Sequence, residues 1–274
     1  MSFTLQGPLL LAGVGKMGGA VLSGLLARGL KPERILVQDP APSAEMAAFL
    51  AKHGIRCAPA IDALGEPPSI ILLAVKPQMM DEALAPLAKH AGPDTLVLSI
   101  AAGRSLQSIE AQLPERTSVI RAMPNTPAAI GRGITVAVPN PHVSPAQRKL
   151  ADELLSSLGK VLWVEDESLL DPVTAVSGSG PAYVFLLVEC LAEAGQAAGL
   201  DAELAEELAR ATVIGSAALL DQTDLHVSKL REHVTSPGGT TAAALAILNG
   251  PEGLRPLLKA AVAEATKRGR ELAK

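Results

Sequence analysis

Up to about Val164 the apolar residues fall into short dense runs, separated by longer segments in which they recur every three or four places. The short runs are Leu9–Gly13, Arg34–Asp39, Ile55–Ala58, Ser69–Val75, Thr95–Ile100, Ser118–Ala122, Ile134–Val138 and Val161–Val164. Their length predicts strands, and those apolar throughout predict strands covered on both faces. The intervening segments Met17–Arg28, Ala44–His53, Met79–His90, Ser105–Gln112 and Ala146–Ser157 predict helices. Strand and helix in alternation imply crossover connections and a doubly wound, mostly parallel α/β domain over residues 1–164.

After Asp166 the strand pattern stops and long Ala/Leu-rich stretches take over, so residues 165–274 are expected to form a separate all-α domain. Pro181–Ala197, Ala202–Asp221, Thr240–Leu248 and Leu254–Leu272 predict helices, several opened by Pro or Thr and closed near Gly. The first is apolar nearly all round, through Tyr183-Val184-Phe185-Leu186-Leu187-Val188. Such a helix needs cover on every side, which a small helical domain supplies only when a second chain shares the face. An interlocked helical dimer is the expectation.

Composition sharpens this picture. Aromatic residues make up only 2% of the chain against 48% hydrophobic residues in all, so packing must rest on Ala, Leu, Val and Gly. A net charge of -4 without a basic stretch argues against a nucleic-acid partner. Cys57 and Cys190 show no paired spacing, which signals neither a disulfide framework nor a metal site and leaves buried structural thiols as the expectation. The apolar opening Pro8–Ala12 lacks the basic segment of a leader peptide, and no uninterrupted apolar run reaches the roughly 20 residues of a membrane span. Cytoplasmic residence, without membrane contact, is expected.

The candidate chemistry sits in glycine- and proline-rich turns. Gly13-Val14-Gly15-Lys16-Met17-Gly18 follows the first strand and opens the first helix. In that context Gly13 permits the turn, Gly15 admits a pyrophosphate, Gly18 allows close helix packing, and the helix N-terminus faces the phosphates. A Rossmann-like dinucleotide site is the reading, beside a merely structural turn or an FAD-type ligand. Asp39, at the end of the second strand, either accepts from adenosine ribose hydroxyls and favours NADH over NADPH, or is a solvated turn residue. Ala74-Val75-Lys76-Pro77 and Met123-Pro124-Asn125-Thr126-Pro127 end two further strands at the edge where ligands bind. Lys76 there reaches toward the cofactor, and Asn125 and Thr126 offer hydrogen bonds to its nicotinamide end; as bare turns both segments would be ordinary.

Two turns lie in the helical half. Ser177-Gly178-Ser179-Gly180-Pro181 reads as a flexible hinge running into a helix start. Thr235-Ser236-Pro237-Gly238-Gly239-Thr240-Thr241 is a second glycine-rich turn before a helix. Its free N–H groups and the hydroxyls of Ser236, Thr240 and Thr241 suit a carboxylate, the alternative being a plain hydroxyl cap.

These strings, in this order and over nearly the whole chain, closely resemble pyrroline-5-carboxylate reductase, the more so as Ser177-Gly178-Ser179-Gly180-Pro181-Ala182-Tyr183 and Ser236-Pro237-Gly238-Gly239-Thr240-Thr241 are far more specific than GxGxxG. The resemblance implies reduction of 1-pyrroline-5-carboxylate to L-proline by NADPH or NADH. It implies that Gly13, Gly15, Lys16, Met17, Gly18, Asp39, Ala74, Val75, Lys76, Pro77, Met123, Asn125 and Thr126 hold the cofactor. Ser236, Gly239 and Thr240 would hold the substrate carboxylate, Thr241 would donate to the ring nitrogen, and the iminium proton would come from solvent. No metal is implied. Such enzymes are interlocked dimers that often assemble into decamers. Two positions depart from the family: His233 stands where it commonly has Asn, and Asp39 where it commonly has Ser or Asn-Arg. Rival readings are a reductase of a six-membered cyclic imine, a dinucleotide sensor without turnover, and a β-hydroxyacid dehydrogenase. The last would place a lysine on the long helix, and Pro181–Ala197 has none.

Overall fold

The structure, a computed structural model, describes Phe3 and residues 5–272. The first part of the chain alternates β1 (Leu9–Ala12), α1 (Lys16–Ala27), β2 (Ile35–Gln38), α2 (Ala44–Lys52), β3 (Arg56–Ala58), β4 (Ile70–Leu73), α3 (Met80–Ala88), β5 (Leu96–Ser99), α4 (Leu106–Glu110), β6 (Ser118–Met123), β7 (Gly133–Pro139), α5 (Pro145–Leu155) and β8 (Gly159–Trp163). All eight expected strands are present, shifted by a residue or two at their ends.

They form one sheet in the order β3-β2-β1-β4-β5-β6-β7-β8, parallel except that β7 runs antiparallel to β6. The exception has a simple cause. Only Pro124–Arg132 joins the two strands, too short for a crossover, and its 3-10 turn at Thr126–Ile130 reverses the chain instead.

Alternation along each buried strand sorts the core into two layers. From β1, Leu9 and Leu11 meet Val21, Leu22 and Leu25 of α1, Leu50 of α2 and Leu154 of α5. Leu10 and Ala12 face the other way, onto Met80, Leu84 and Leu87 of α3 and Ile109 of α4. Each fully buried Leu of this kind stabilises the fold by about 1.5–3 kcal/mol relative to exposure, so this part of the chain carries its own core. The chain leaves β1 toward β2 and β3 on one side and returns to β4 on the other. That reversal opens a crevice at the carboxyl ends of β1 and β4, where ligands of such sheets bind.

The remainder is helical: α6 (Leu170–Val173), a π-helical turn at Thr174–Gly178, α7 (Gly180–Ala197), α8 (Ala202–Asp221), α9 (Val227–His233), α10 (Thr240–Leu248) and α11 (Leu254–Leu272). Two compact units result. One runs to Gly178 and takes in α11 from Thr266 on, and the other is Ser179–Ala265.

The helix start expected at Ser177–Pro181 is present, with Pro181 in the first turn of α7, and the two units divide at Gly178 and Ser179, but the segment is not a loop. Backbone through Gly178 is helical and Ser179 itself has right-handed helical angles. The Ser177 hydroxyl instead donates to its own helix, to the Val173 carbonyl at 2.9 Å, as Thr174 one turn earlier does to the Leu170 carbonyl at 2.7 Å. Such back-bonding accompanies a widened turn.

Within the second unit only Ala205 and Ala209 are buried, while Phe185 is 62% exposed and Leu186 57%. No residue of α7 is buried. This apolar surface needs a cover, and it bears out the sequence reading of α7 as a helix apolar all round. The stretch Glu167–Ala197 is also long and apolar enough, by length and composition, to cross a membrane, a possibility the sequence reading had not admitted. The thiol expectation changes as well, because Cys57 is half-buried and Cys190 is exposed on α7. An isolated unit of this kind should self-associate, so light scattering at micromolar concentration should show at least a dimer. A monomer would overturn the shared-face reading.

Candidate active site

At the end of β1 the chain turns through Gly13, whose φ of +87° an L side chain rarely adopts. A Cβ on Gly13 would stand 2.8 Å from Val75 Cγ1 and 2.9 Å from the Ala74 carbonyl oxygen. The glycine turn therefore lies directly on the end of β4, against Ala74 and Val75, with Lys76 and Pro77 next in the chain. A Cβ on Gly18 would overlap the Gly13 carbonyl oxygen.

Gly15 differs from both. Its φ of -65° suits any residue, and a Cβ there would meet nothing within 4 Å. The protein itself does not require glycine here. The open space lies at the N-cap of α1, next to the free N–H groups of its first turn. A dinucleotide pyrophosphate fits such a cradle. Lys16 is exposed and Met17 half-buried against the core. Lys16 and Lys76 make no ion pair among the described residues, and both remain able to meet phosphate.

Asp39 follows the last residue of β2 and is half-buried. Its Oδ2 accepts from the Val14 N–H at 2.9 Å and its Oδ1 from the Ala41 N–H at 2.9 Å. The turn role is thus real, and the same carboxylate also braces the glycine loop. Beside it, burial and then the Asp39 charge push the Cys57 thiol above its ordinary pKa, against a weaker opposing hydrogen bond to the Asp39 carbonyl. Cys57 stays a neutral thiol near neutral pH.

Asn125, in the middle of the Met123–Pro127 segment, also braces the fold. Its Nδ2 donates to the Ser177 carbonyl at 3.1 Å and its Oδ1 accepts from the Ile134 N–H at 2.9 Å. The amide clamps the π-helical turn to the start of β7, with one Nδ2 hydrogen left for a ligand. A Cβ on Gly178 would lie 2.8 Å from Met123 Cε, so this turn also packs on Met123. Thr126 is exposed at the start of the 3-10 turn.

A buried pair went unseen in the sequence reading. Arg121 of β6, 6% exposed, donates to Glu167 Oε1 at 2.8 Å, and the Leu106 N–H donates to the same oxygen at 2.8 Å. It ties β6 to the segment entering α6. An arginine inside the otherwise apolar Ser118–Met123 run was the available signal.

In the second unit the Thr235–Thr241 turn has Gly238 at a φ of +72° and leads into α10. Gly239 is the N-cap residue, and no side chain caps the helix. The plain hydroxyl-cap alternative is thereby removed. Gly239 N–H donates to the Ser236 carbonyl at 3.1 Å, but the hydroxyls of Ser236, Thr240 and Thr241 have no hydrogen-bond partner among the described residues. Three hydroxyls and the unsatisfied N–H groups of the first turn thus stand at or next to one helix start, groups of the kind that bind a carboxylate. His233, the last residue of α9, is exposed.

Residues 167–272 match the family model described as pyrroline-5-carboxylate reductase dimerisation, and residues 9–103 match that described as NADP oxidoreductase coenzyme F420-dependent. A pyrroline-5-carboxylate reductase of Synechocystis sp. is 43% identical over 96% of this chain and 97% of its own. The enzyme of that name from Pseudomonas aeruginosa is 39% identical over 95% of both chains. Among solved structures, a pyrroline-5-carboxylate reductase from Coxiella burnetii superposes with a TM-score of 0.90 at 34% identity, covering 98% of this chain and 100% of that one. The Plasmodium falciparum pyrroline carboxylate reductase, with NADP bound, gives 0.82 at 27% identity over 98% of this chain and 99% of its own.

Proposed function

The chain belongs to the pyrroline-5-carboxylate reductase family, and from that premise we propose how its own residues divide the work. It is an oxidoreductase that reduces 1-pyrroline-5-carboxylate to L-proline with NAD(P)H, and its helical part is a dimerisation domain.

The glycine turn Gly13–Gly18, with the ends of β4 and β6, holds the dinucleotide. The free N–H groups of α1 and Lys16 meet the pyrophosphate, Asp39 meets the adenosine ribose, and Ala74–Pro77 with Met123, Asn125 and Thr126 border the nicotinamide. When bound, the cofactor supplies the hydride that reduces the C=N bond. The turn before α10 binds the substrate carboxylate through Ser236, Gly239 and Thr240. Thr241 donates a hydrogen bond to the ring nitrogen, which draws electron density from the imine carbon and orients it. Catalysis on this account is chiefly positioning, without an acid–base dyad. The second half of the reading is carried by one observation, the set of unengaged hydroxyls at Ser236, Thr240 and Thr241.

The same proposal divides the chain into a dinucleotide-binding domain over 1–164 and a dimerisation and substrate domain over 165–274. It assigns the cover of α7 to a second copy rather than to a membrane or nucleic acid, allows further assembly to a decamer, and places the enzyme in the cytoplasm, where a soluble cofactor pool serves it. The test is direct: protein mixed with 1-pyrroline-5-carboxylate and NAD(P)H should lose the near-ultraviolet absorbance of the reduced nicotinamide while forming proline in equal amount. Loss without proline, or no loss with either cofactor, would overturn it.

A further inference from the structure

The adenosine end of the site carries a choice that the family as a whole leaves open. Asp39 is fixed from three directions. Its N–H donates to the Ala58 carbonyl at 3.0 Å, continuing the sheet, while its two carboxylate oxygens each accept a backbone N–H, from Val14 and from Ala41. Pro40 and Pro42 stiffen the turn that follows. The carboxylate therefore stays beside the glycine loop and cannot swing aside for a second anion. Each oxygen still has a lone pair, enough to accept from the two hydroxyls of a ribose.

The surrounding charge points the same way. From Ile35 to Ala51 there is no Lys, Arg or His, while Glu45 adds a second acid in the first turn of α2. The Ser43 hydroxyl already accepts from the Met46 N–H at 3.2 Å. Beyond β3 the chain continues Pro59-Ala60-Ile61-Asp62, again without a cation; between these stretches Lys52 and His53 stand at the far end of α2, and Arg56 opens β3 at the end opposite Ala58, whose carbonyl accepts from Asp39. Lys16 and Lys76 belong to the turns after β1 and β4, beside the pyrophosphate cradle rather than on the β2–α2 turn. Asp39 itself forms no ion pair among the described residues. A 2′-phosphate would bring a charge of about -1.5 to -2 against this carboxylate, and the turn from Pro40 to Ser43 holds no cation to offset it.

Resting on the reading of the chain as a nicotinamide-dependent reductase, we infer that Asp39 makes this enzyme select NADH and reject NADPH. The scaffold does not exclude the phosphate in general, since the Plasmodium falciparum relative binds NADP. The specificity lies in this residue and in the lack of cations on the turn that follows it.

Calorimetric titration of the full-length protein tests this without turnover. NADH should bind at least on the order of tenfold more tightly than NADPH, the scale of a close like-charge contact. Adenosine diphosphate should likewise bind better than its 2′-phosphorylated form. Asp39→Asn removes the charge but keeps one acceptor for the glycine loop, and Asp39→Ser keeps a hydroxyl. In both variants the NADH-to-NADPH ratio should fall by about tenfold or more. Equal or tighter binding of NADPH by the unaltered protein overturns the inference, as does an unchanged ratio in both variants. If neither dinucleotide binds, the reductase reading itself fails and the inference with it.

Discussion

Replacing Thr241 with alanine should lower turnover of the imine by on the order of 10- to 1000-fold while cofactor affinity stays near that of the unaltered protein. The half-buried Thr241 sits at the second position of α10, and its hydroxyl has no partner among the described residues. Removing that hydroxyl breaks no bond within the fold, and alanine favours the helix. The melting temperature should therefore hold steady, so that a loss in turnover reads out contact with the substrate alone. Thr241→Ser retains the donor and should recover most of the rate. Near-normal turnover of the alanine variant would remove Thr241 from the reaction.

Two glycines of one motif should respond in opposite ways. Gly15→Val places its side chain in open space at an ordinary φ, so folding should be little affected. The same side chain fills the approach to the N–H groups of α1 and should weaken dinucleotide binding by on the order of 10- to 100-fold, the equivalent of about 1–3 kcal/mol of overpacking. Gly18→Ala, by contrast, drives a Cβ into the Gly13 carbonyl oxygen and onto the Ala74 side chain. That variant should lose about 1–3 kcal/mol of stability. Comparing thermal melts with cofactor titrations for the two variants separates the roles. Unimpaired cofactor binding by Gly15→Val would show that the open space is not the pyrophosphate site.

Which parts of this molecule could be read from its sequence follows from how local their causes are. The inner strands announced themselves because a strand covered on both faces must be apolar throughout, as in Leu9–Ala12 and Ile70–Leu73. Helix α9 was missed because it is short and because its cap is His226, whose Nδ1 accepts from the Ser228 N–H, a residue that gives no capping signal. Ser177-Gly178-Ser179-Gly180 read as a hinge because hydroxyl and glycine residues favour turns. Only the structure shows the Ser177 hydroxyl turned back onto its own helix.

The site divides along the same line. Glycine spacing placed Gly13, Gly15 and Gly18 correctly at the end of β1, since the turn and the helix start are consecutive in sequence. The partners of Asp39 and Asn125 were not legible, because Val14, Ser177 and Ile134 reach them only once the sheet has formed. The expectation for Asn125 as a ligand donor now stands beside an observed bracing role. The Arg121–Glu167 pair joins residues far apart in sequence and had only the oddity of an arginine within a buried strand to mark it.

The central claim is that this chain brings a nicotinamide hydride to the carbon of a cyclic imine whose carboxylate the α10 turn holds. Purified protein supplied with 1-pyrroline-5-carboxylate and with NADH carrying deuterium at both C4 positions should yield proline one mass unit heavier, the label residing on the former imine carbon. Proline formed without deuterium, or consumption of the cofactor without proline, would contradict the account.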